Sequence, residues 1–327
     1  MNIVIGVISP NTAWVLPRQH VEQLRRDFPQ HTFIDAWDRD GLRAALPAAD
    51  AAFAAYIDHD LVPSLARLRW VQAPAVGVGH ILSPELLASP TILTSARGIR
   101  ARPIAEHILA VTLALSRQLH TAIRRQLSHE WPADGLVAEA GIRSLTGARM
   151  GIVGLGSIGE EVARLAAPFG LRVVAIRKHV GRAVPPGVDE VLTPDRLPHL
   201  LKTSDIIVLS VPLTMETDRL IGRRAVDVVK RGALLVNIGR GQLLDDDAVI
   251  EALQDGRLGG AALDVFEREP LDPSSPYWDL PNVIVTPHVS GAMEDYWTPL
   301  VALFAENLRR FERGEPLLNV VDKGAGY

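Results

Sequence analysis

Three side chains that could transfer a proton or bind an anion follow short apolar runs late in the sequence: Arg240, Glu269 and His288. A histidine exchanges a proton near neutral pH, and a carboxylate bonded to its second ring nitrogen fixes the tautomer. An arginine offers a planar pair of donors that matches a carboxylate. Taken singly, the histidine could be structural, the glutamate could cap a loop and the arginine could bridge surface carboxylates. Together they indicate acid–base chemistry on a small anion.

A glycine-rich segment, residues 154–159, follows the apolar run 150–153 and reads Gly-Leu-Gly-Ser-Ile-Gly. This is the G-x-G-x-x-G pattern that joins a strand to a helix in dinucleotide-binding domains, where the helix N-terminus faces the pyrophosphate. The residues expected to contact a dinucleotide here are Gly154, Gly156, Ser157, Ile158 and Gly159. The alternative is an ordinary glycine-rich turn between a strand and a helix.

The next apolar run, residues 171–176, ends in Arg177 and Lys178, with Arg182 close behind. An acid about 20 residues after the glycine pattern would bind the ribose hydroxyls of NAD, and none stands here. Cations at this position suit the 2′-phosphate of NADP. The sequence therefore predicts a preference for NADP(H) over NAD(H). The alternative is a solvated basic loop, with NAD held by other groups.

The elements that must position these residues are predicted from the alternation of β-branched apolar runs with segments of helical period. Such alternation favours parallel sheets covered on both faces by helices. The predicted strands are 3–8, 32–36, 51–56, 70–73 and 92–95 in a first series, and 149–153, 171–176, 206–210, 234–238 and 283–286 in a second. We therefore expect an α/β fold with two doubly wound parallel-sheet domains.

A long apolar helix is predicted from Pro103, because Ile104, Ile108, Val111 and Leu115 recur at helical spacing. Its apolar residues cover more than one face, which is typical of a helix between two domains or of one that also contacts a second subunit. The residues after His288 are too few for a domain of ordinary size. We expect them to complete the first domain, which gives a discontinuous domain of residues 1–99 and 289–327 and an inserted domain of residues 100–288.

Composition excludes several classes of function. The chain has 327 residues, 47% of them hydrophobic, and a formal net charge of −4, so no basic surplus supports nucleic-acid binding. It has no cysteine, which excludes disulfides and thiolate chemistry. No run is long and apolar enough for a membrane span, and the N-terminal run lacks the features of a signal peptide, so we expect a cytoplasmic protein. The histidines outside the motifs show no metal-ligand spacing, so we expect no metal.

Four ordered motifs make the chain resemble the D-isomer-specific 2-hydroxyacid dehydrogenases, which include glyoxylate/hydroxypyruvate reductases and phosphoglycerate dehydrogenases. The motifs are the loop Ala75-Val76-Gly77-Val78, the helix segment Ala105-Glu106-His107, the glycine turn and the His288 segment. The resemblance covers nearly the whole chain. It implies a Rossmann cofactor domain inserted in a flavodoxin-like substrate domain, a small 2-oxo or 2-hydroxy acid as substrate, and a homodimer.

The resemblance also implies roles for individual residues. Arg240 pairs with the substrate carboxylate and polarises the carbonyl, His288 is the general acid in reduction and base in oxidation, and Glu269 holds the histidine. The Val76 and Gly77 amides grip the substrate carboxylate. The further cofactor contacts that it implies are Pro212, Thr217, Ile238, Asp264 and Gly291. His107 is expected to be structural. The sequence departs from the family at Ala75, where many members have glycine, and at Gly79, where many have an acid.

We therefore expect an oxidoreductase that transfers a hydride between NAD(P)H and a small D-2-hydroxy acid, with glyoxylate and hydroxypyruvate as first substrates. One alternative is an NAD-linked enzyme similar to phosphoglycerate dehydrogenase. A second is a non-catalytic, dinucleotide-sensing scaffold similar to the family's transcriptional corepressors, which can retain all three catalytic side chains. Turnover separates an enzyme from the scaffold, which should bind the cofactor tightly but react at a negligible rate.

Overall fold

The computed structural model describes the chain apart from residues 11–13, 132–134, 137–140, 180, 182, 325 and 327. The chain divides into two compact units, one of Met1–Ile99 with Met293–Tyr327 and one of Arg100–Ala292. The chain returns to the first unit after Ala292, and the boundary expected from the sequence lies at His288.

The first unit contains a parallel sheet. Its strands are β1 (Asn2–Gly6), β2 (Thr32–Asp35), β3 (Ala51–Ala54), β4 (Trp70–Gln72) and β5 (Ile92–Thr94), and its helices before residue 100 are α1 (Arg18–Asp27), α2 (Arg39–Ala45) and α3 (Pro84–Ala88), with 3-10 turns at Leu46–Ala48 and His59–Ser64. In the described residues the strand order is β2-β1-β3-β4-β5, and every pairing is parallel. This is the flavodoxin-like order, as expected from the sequence.

Local sequence explains these elements. Ile3, Val4 and Ile5 of β1 are at most 2% exposed, because helices cover both faces of a parallel sheet. The Asp38 side chain accepts a hydrogen bond from the Gly41 amide at 2.7 Å and so caps the N-terminus of α2. Ser83 caps α3 in the same way.

The second unit contains a larger parallel sheet. Its strands are β6 (Arg149–Val153), β7 (Arg172–Ile176), β8 (Glu190–Leu192), β9 (Ile206–Leu209), β10 (Ala233–Asn237), β11 (Leu258–Leu263) and β12 (Val283–Val285). Its helices are α4 (Ala101–Ser116), α5 (Leu119–Leu127), α6 (Ser157–Ala166), α7 (Leu197–Thr203), α8 (Arg223–Val228) and α9 (Asp246–Gln254), with 3-10 turns at Ala167–Phe169, Pro194–Arg196, Gly241–Leu243 and Pro276–Trp278. The order among the described strands is β12-β11-β10-β9-β6-β7-β8. This is the Rossmann order with one more strand, and it confirms the predicted fold class.

Two strands of this sheet, β8 and β11, are missing from the strands predicted by sequence. The segment of β11 reads Leu-Gly-Gly-Ala-Ala-Leu, which lacks the β-branched residues that mark strands. The glycines are required by packing, since a Cβ on Gly259 would lie 2.4 Å from the Gly232 carbonyl oxygen. β8 has only three residues and lies at the sheet edge.

The last helix, α10 (Trp297–Arg313), completes the core of the first unit. The Phe304 ring stacks on Phe53 at 4.8 Å and on Trp70 at 5.1 Å between centroids. Asn307, fully buried, donates from Nδ2 to the Gln72 Oε1 atom at 3.2 Å. The C-terminal helix therefore packs against the first sheet. Within the described residues, no helix has the length and apolar character needed to span a membrane.

Candidate active site

The three candidate catalytic side chains follow three neighbouring strands. Arg240 follows β10, Glu269 follows β11 and His288 follows β12, and these strands lie side by side in the order β12-β11-β10. Parallel strands spaced about 4.8 Å apart bring their carboxyl ends to one edge of a sheet. We call the loops at this edge, residues 237–241, 264–269 and 286–291, the polar edge.

His288 and Glu269 form a hydrogen-bonded pair at the polar edge. The Nδ1 atom of His288 lies 2.7 Å from Oε2 of Glu269, and the second oxygen, Oε1, accepts a hydrogen bond from the Phe266 amide at 3.0 Å. The carboxylate is thereby fixed to its own loop while it holds the imidazole. Because Nδ1 is engaged, Nε2 is the ring nitrogen available to a substrate. The side chains remain accessible, with 53% of His288 and 37% of Glu269 exposed.

The buried side chain of Asp264, which is 1% exposed, holds the loop that carries His288. Its Oδ1 atom accepts from the Thr286 hydroxyl at 2.6 Å and from the Val289 amide at 2.9 Å, and Oδ2 accepts from the Ser290 amide at 2.9 Å. The His288 amide also donates to the Asp264 carbonyl at 2.9 Å. His288 itself has a positive φ of 54°, a left-handed backbone that such contacts must hold in place. The expected contact of Asp264 with a nicotinamide carboxamide stays a prediction.

His107, on α4, reaches the same loop. Its Nε2 atom lies 3.4 Å from the Thr286 hydroxyl, which in turn donates to Asp264. Burial lowers the pKa of His107, and the negative charge of Asp264 acts in the opposite direction. A neutral, half-buried ring in contact with the loop is the geometry of a supporting residue.

Arg240 is presented by a turn that Asn237 folds. The fully buried Asn237 donates from Nδ2 to the Arg240 carbonyl at 2.9 Å and accepts the Gly239 amide on Oδ1 at 3.0 Å. The guanidinium is exposed, and its Nη1 donates to the Gly239 carbonyl at 2.6 Å. Neither Asn237 nor Thr286 is among the site residues predicted from the sequence. The available signal was a polar side chain at the end of an apolar strand.

Gly241 joins the arginine loop to the glutamate loop. A Cβ on Gly241 would lie 1.8 Å from the carbonyl carbon of Phe266 and 2.1 Å from the Glu267 nitrogen. The two backbones are therefore in direct contact, and no larger residue fits without separating the loops. This contact holds the Arg240 loop against the Glu269 loop.

The glycine turn at residues 154–159 has the geometry of a phosphate cradle. Gly154 has a φ of 107°, and its Cβ would lie 2.6 Å from the Ser210 carbonyl oxygen, while a Cβ on Gly159 would lie 2.4 Å from the Gly154 oxygen. By contrast, Gly156 is exposed and its Cβ would meet nothing within 4 Å, which leaves room for a group beside the backbone at the start of α6. The turn lies after β6, next to β9, where the strand order reverses and where such sheets bind ligands. These residues fit the pyrophosphate of a dinucleotide.

The two predicted cations after β7 differ in exposure. Arg177 is 8% exposed, and both terminal nitrogens of its guanidinium lie 3.3 Å from the Ala183 carbonyl oxygen. Lys178 is 57% exposed, and its Nζ lies 3.1 Å from the Glu216 carboxylate. Of these two residues, Lys178 is therefore the one open to a phosphate, and Glu216 competes for it. Arg182 lies outside the described residues.

The other expected cofactor contacts vary in their surroundings. Pro212 is exposed, whereas the Thr217 hydroxyl donates to the Pro212 carbonyl at 2.7 Å and so closes its own loop. Ile238 is 8% exposed and packs in the core. Gly291 is half-buried, and its Cβ would lie 3.0 Å from the Arg100 side chain. The cofactor contacts expected of Pro212, Thr217, Ile238 and Gly291 stay predictions.

The expected substrate loop belongs to the first unit. Val76 is 42% exposed and Gly77 is exposed, directly after β4. The loop is held on its N-terminal side, since the Tyr296 hydroxyl donates to the Pro74 carbonyl and the Ala96 amide donates to the Ala75 carbonyl at 3.0 Å. Among the described residues, no group of three or more His, Asp or Glu side chains could hold a metal ion.

Comparison with known proteins identifies similar chains. Residues 109–290 match the family model described as D-isomer specific 2-hydroxyacid dehydrogenase, NAD binding domain. The chain is 32% identical over 322 residues to a glyoxylate reductase of Thermococcus gammatolerans, covering 94% of both chains. It is 33% identical over 299 residues to a D-3-phosphoglycerate dehydrogenase of Mycobacterium tuberculosis, covering 90% of this chain and 55% of that one.

A solved structure is similar over the whole chain. It is the NADPH-dependent glyoxylate/hydroxypyruvate reductase of Sinorhizobium meliloti, in complex with NADP and sulfate. The TM-score is 0.80 at 29% sequence identity, and the alignment covers 100% of this chain and 99% of that one.

Proposed function

This chain belongs to the family of D-isomer specific 2-hydroxyacid dehydrogenases, which are NAD(P)-dependent enzymes, and we propose that it uses NADPH to reduce a small 2-oxo acid of the glyoxylate or hydroxypyruvate type. The observation that carries this proposal is the His288–Glu269 pair, which lies one strand away from the Arg240 loop. The pair provides a proton donor, and the arginine provides an anion site at the same sheet edge.

In the proposed reduction, Arg240 binds the carboxylate of the 2-oxo acid and polarises the carbonyl at C2. His288 protonates the carbonyl oxygen from Nε2, because Glu269 engages Nδ1 and stabilises the imidazolium before transfer. The Val76 and Gly77 amides bind the carboxylate as further donors. When bound, NADPH supplies the hydride from C4 of its nicotinamide ring. The product is a 2-hydroxy acid with the hydride on C2 and the proton on its hydroxyl, and it is the D isomer where C2 becomes a stereocentre, as with hydroxypyruvate.

The preference for NADPH rests on Lys178. Its exposed ammonium stands at the end of β7, where the ribose 2′ position of a dinucleotide on the glycine turn comes to lie. The NADP complex of the Sinorhizobium meliloti reductase supports this preference. The buried Arg177 acts indirectly, since it holds the loop through the Ala183 carbonyl.

The first test is the oxidation rate of NADPH and, separately, of NADH by the purified protein with glyoxylate, hydroxypyruvate and pyruvate, with His288→Asn as the inactive control. We expect turnover with NADPH that the His288 variant loses. Tight cofactor binding without turnover on any of these acids would instead favour the scaffold. Oxidation of 3-phosphoglycerate with NAD as the fastest reaction would favour the phosphoglycerate dehydrogenase alternative. The similarity to the Mycobacterium tuberculosis enzyme is the reason for including this substrate.

The cofactor preference has its own test. Lys178→Ala should raise the KM for NADPH about tenfold and leave the KM for NADH unchanged, since a charge-assisted contact to phosphate contributes on that scale. Glu216→Gln should lower the KM for NADPH, because it removes the competing carboxylate. Equal effects on both cofactors would contradict the assignment.

We also propose a homodimer. Leu119, Ile123 and Leu127 recur every four residues along α5 and are 50%, 58% and 78% exposed, which forms an apolar stripe suited to a second copy. Sedimentation of the wild type and of Ile123→Asp tests this, with a shift to the monomer mass expected in the variant. The cytoplasmic location expected from sequence stays a prediction.

A further inference from the structure

Two exposed aromatic side chains bracket the loop of residues 74–80, which carries the Val76 and Gly77 amides. At its N-terminal side, the Tyr296 hydroxyl donates to the Pro74 carbonyl, and the edge of the Trp14 ring meets Tyr296 at 6.0 Å between centroids with an interplanar angle of 78°. Trp14 is 43% exposed, whereas Tyr296 is 8% exposed. Tyr296 thus anchors the loop, and Trp14 presents the accessible apolar surface beside it.

The C-terminal side of the loop has a similar arrangement. The Tyr56 ring meets the ring of His80 at 5.8 Å with an interplanar angle of 70°, and His80 Nε2 lies 3.0 Å from the Ala55 carbonyl oxygen. Tyr56 is 36% exposed. A second aromatic surface therefore stands at the other end of the same loop.

Sheet topology explains why these side chains follow strands that end at the same edge. Trp14 follows β1, Tyr56 follows β3 and the loop follows β4, and these three strands are neighbours in the parallel sheet. Their carboxyl ends lie at one edge, as in other open α/β sheets that bind ligands there. We call the set of Trp14, Tyr56, Tyr296 and residues 74–80 the aromatic edge.

The surface of the aromatic edge is more apolar than glyoxylate requires. Glyoxylate has a hydrogen in place of a side chain, yet Trp14, Tyr56 and Val76 together expose large apolar groups around the amides. Exposed apolar patches beside polar anchoring groups are typical of ligand sites, and aromatic rings bind other rings and branched alkyl groups by edge and face contacts.

We propose that Trp14 and Tyr56 form a subsite for the side chain of the substrate, which extends the substrate class to 2-oxo acids with an aromatic or large branched apolar group, such as phenylpyruvate. This inference rests on the proposed function, because it assigns a binding surface to the side chain of the same substrate, the group that begins at C3. The carboxylate is held by the amides, and the side chain packs on the rings that flank them.

The test compares kcat/KM for phenylpyruvate and for glyoxylate in the wild type, Trp14→Ala, Trp14→Phe and Trp37→Ala. We expect the wild type to reduce phenylpyruvate at least as efficiently as glyoxylate. Trp14→Ala should lose about tenfold on phenylpyruvate and little on glyoxylate, and Trp14→Phe should recover most of the loss.

Trp37 is the matched control. It is 39% exposed and follows β2, one strand further from the loop, and its ring contacts the Arg18 guanidinium at 4.9 Å. Trp37→Ala should leave the ratio of the two substrates unchanged. Equal losses on both substrates in Trp14→Ala, or no loss on phenylpyruvate, would overturn the subsite.

A binding measurement separates this inference from the proposed function. Saturation-transfer NMR on the NADP⁺ complex reports whether phenylpyruvate binds and whether Trp14→Ala abolishes the signal. If no 2-oxo acid is reduced but phenylpyruvate binds through Trp14, the proposed function fails and the subsite stands. If glyoxylate is reduced but phenylpyruvate neither binds nor reacts, the subsite fails alone.

Discussion

The polar edge of the second unit and the aromatic edge of the first hold their loops by different means. At the polar edge, buried Asp264 and Asn237 fix the backbone through several hydrogen bonds each, and their positions leave little freedom to His288 and Arg240. At the aromatic edge, a tyrosine hydroxyl and ring contacts hold the loop, and the rings themselves remain exposed.

This difference separates two tasks. Proton transfer requires distances fixed to a few tenths of an ångström, which buried polar networks provide. Recognition of an apolar side chain requires surface area and tolerates adjustment. Changes at the polar edge should therefore lower the rate with every substrate, whereas changes at the aromatic edge should alter affinity and the ranking of substrates.

The largest effect is expected at Arg240. Arg240→Lys keeps the charge but loses the planar pair of donors, so kcat/KM should fall about 10³-fold for all 2-oxo acids. Arg268→Lys, an exposed arginine of the neighbouring loop, is the matched control and should change the rate less than twofold. Steady-state kinetics with glyoxylate and phenylpyruvate measures both. A loss of kcat/KM confined to one substrate would contradict the expectation that changes at the polar edge affect every substrate.

A smaller loss is expected at Asp264. In Asp264→Asn one acceptor becomes an NH₂ group that faces a backbone amide, so the His288 loop should shift and kcat should fall about 100-fold. Thr286→Val should lose less, and Thr286→Ser should restore the rate. The dissociation constant for NADPH, measured by fluorescence, tests the predicted contact of Asp264 with the nicotinamide carboxamide separately from its effect on the loop. Weaker NADPH binding with an unchanged kcat would instead support a carboxamide contact.

At the aromatic edge, Tyr296→Phe removes the hydroxyl that anchors Pro74 while keeping the ring against Trp14. One neutral hydrogen bond contributes about 1 kcal/mol to the stability of the loop. The KM for every 2-oxo acid should therefore rise about fivefold, and kcat should not change. Initial-rate measurements over a range of substrate concentrations test this. A fall in kcat as large as that of Asp264→Asn would show that the two edges are not held so differently.

The smallest effect concerns acid stability of the second unit. Because burial lowers the pKa of His107, the fold favours the neutral ring, and the unfolded chain takes up the proton first as the pH falls through about 6.5. The contribution of His107 to the free energy of unfolding is therefore complete above that pH and decreases as the pH falls below it. Urea unfolding at pH 7.5 and 5.5 should show a smaller decline in His107→Gln than in the wild type. An equal decline would mean that His107 does not contribute.

The sequence predicted the fold class and the strand ends that carry Arg240 and His288, because apolar runs and glycine patterns reflect local backbone requirements. It missed β11, the strand that precedes Glu269, because close packing against Gly232 requires glycine where strand propensity would place β-branched residues. That constraint comes from a neighbouring segment and leaves no local pattern.

The surroundings of single side chains were less accessible from sequence. Arg177 and Lys178 are adjacent cations, yet one is buried against a carbonyl and the other pairs with Glu216, a residue of a distant loop. Asn237 and Asp264 support the site through tertiary hydrogen bonds whose partners cannot be read from spacing. The aromatic edge depends in the same way on strand order, which brings the loops after β1, β3 and β4 together.

The stacking of Phe304 on Phe53 and Trp70 has a consequence for synthesis on the ribosome. Residues 1–99 emerge first but lack the helix that closes their core, whereas residues 100–292 form a continuous unit that can fold as it appears. At bacterial or eukaryotic translation speeds, the nascent first sheet waits roughly 10–40 s for α10. During that interval Phe53 and Trp70 lack the ring that covers them and are accessible to a chaperone, and the first unit completes its core only after α10 has been made.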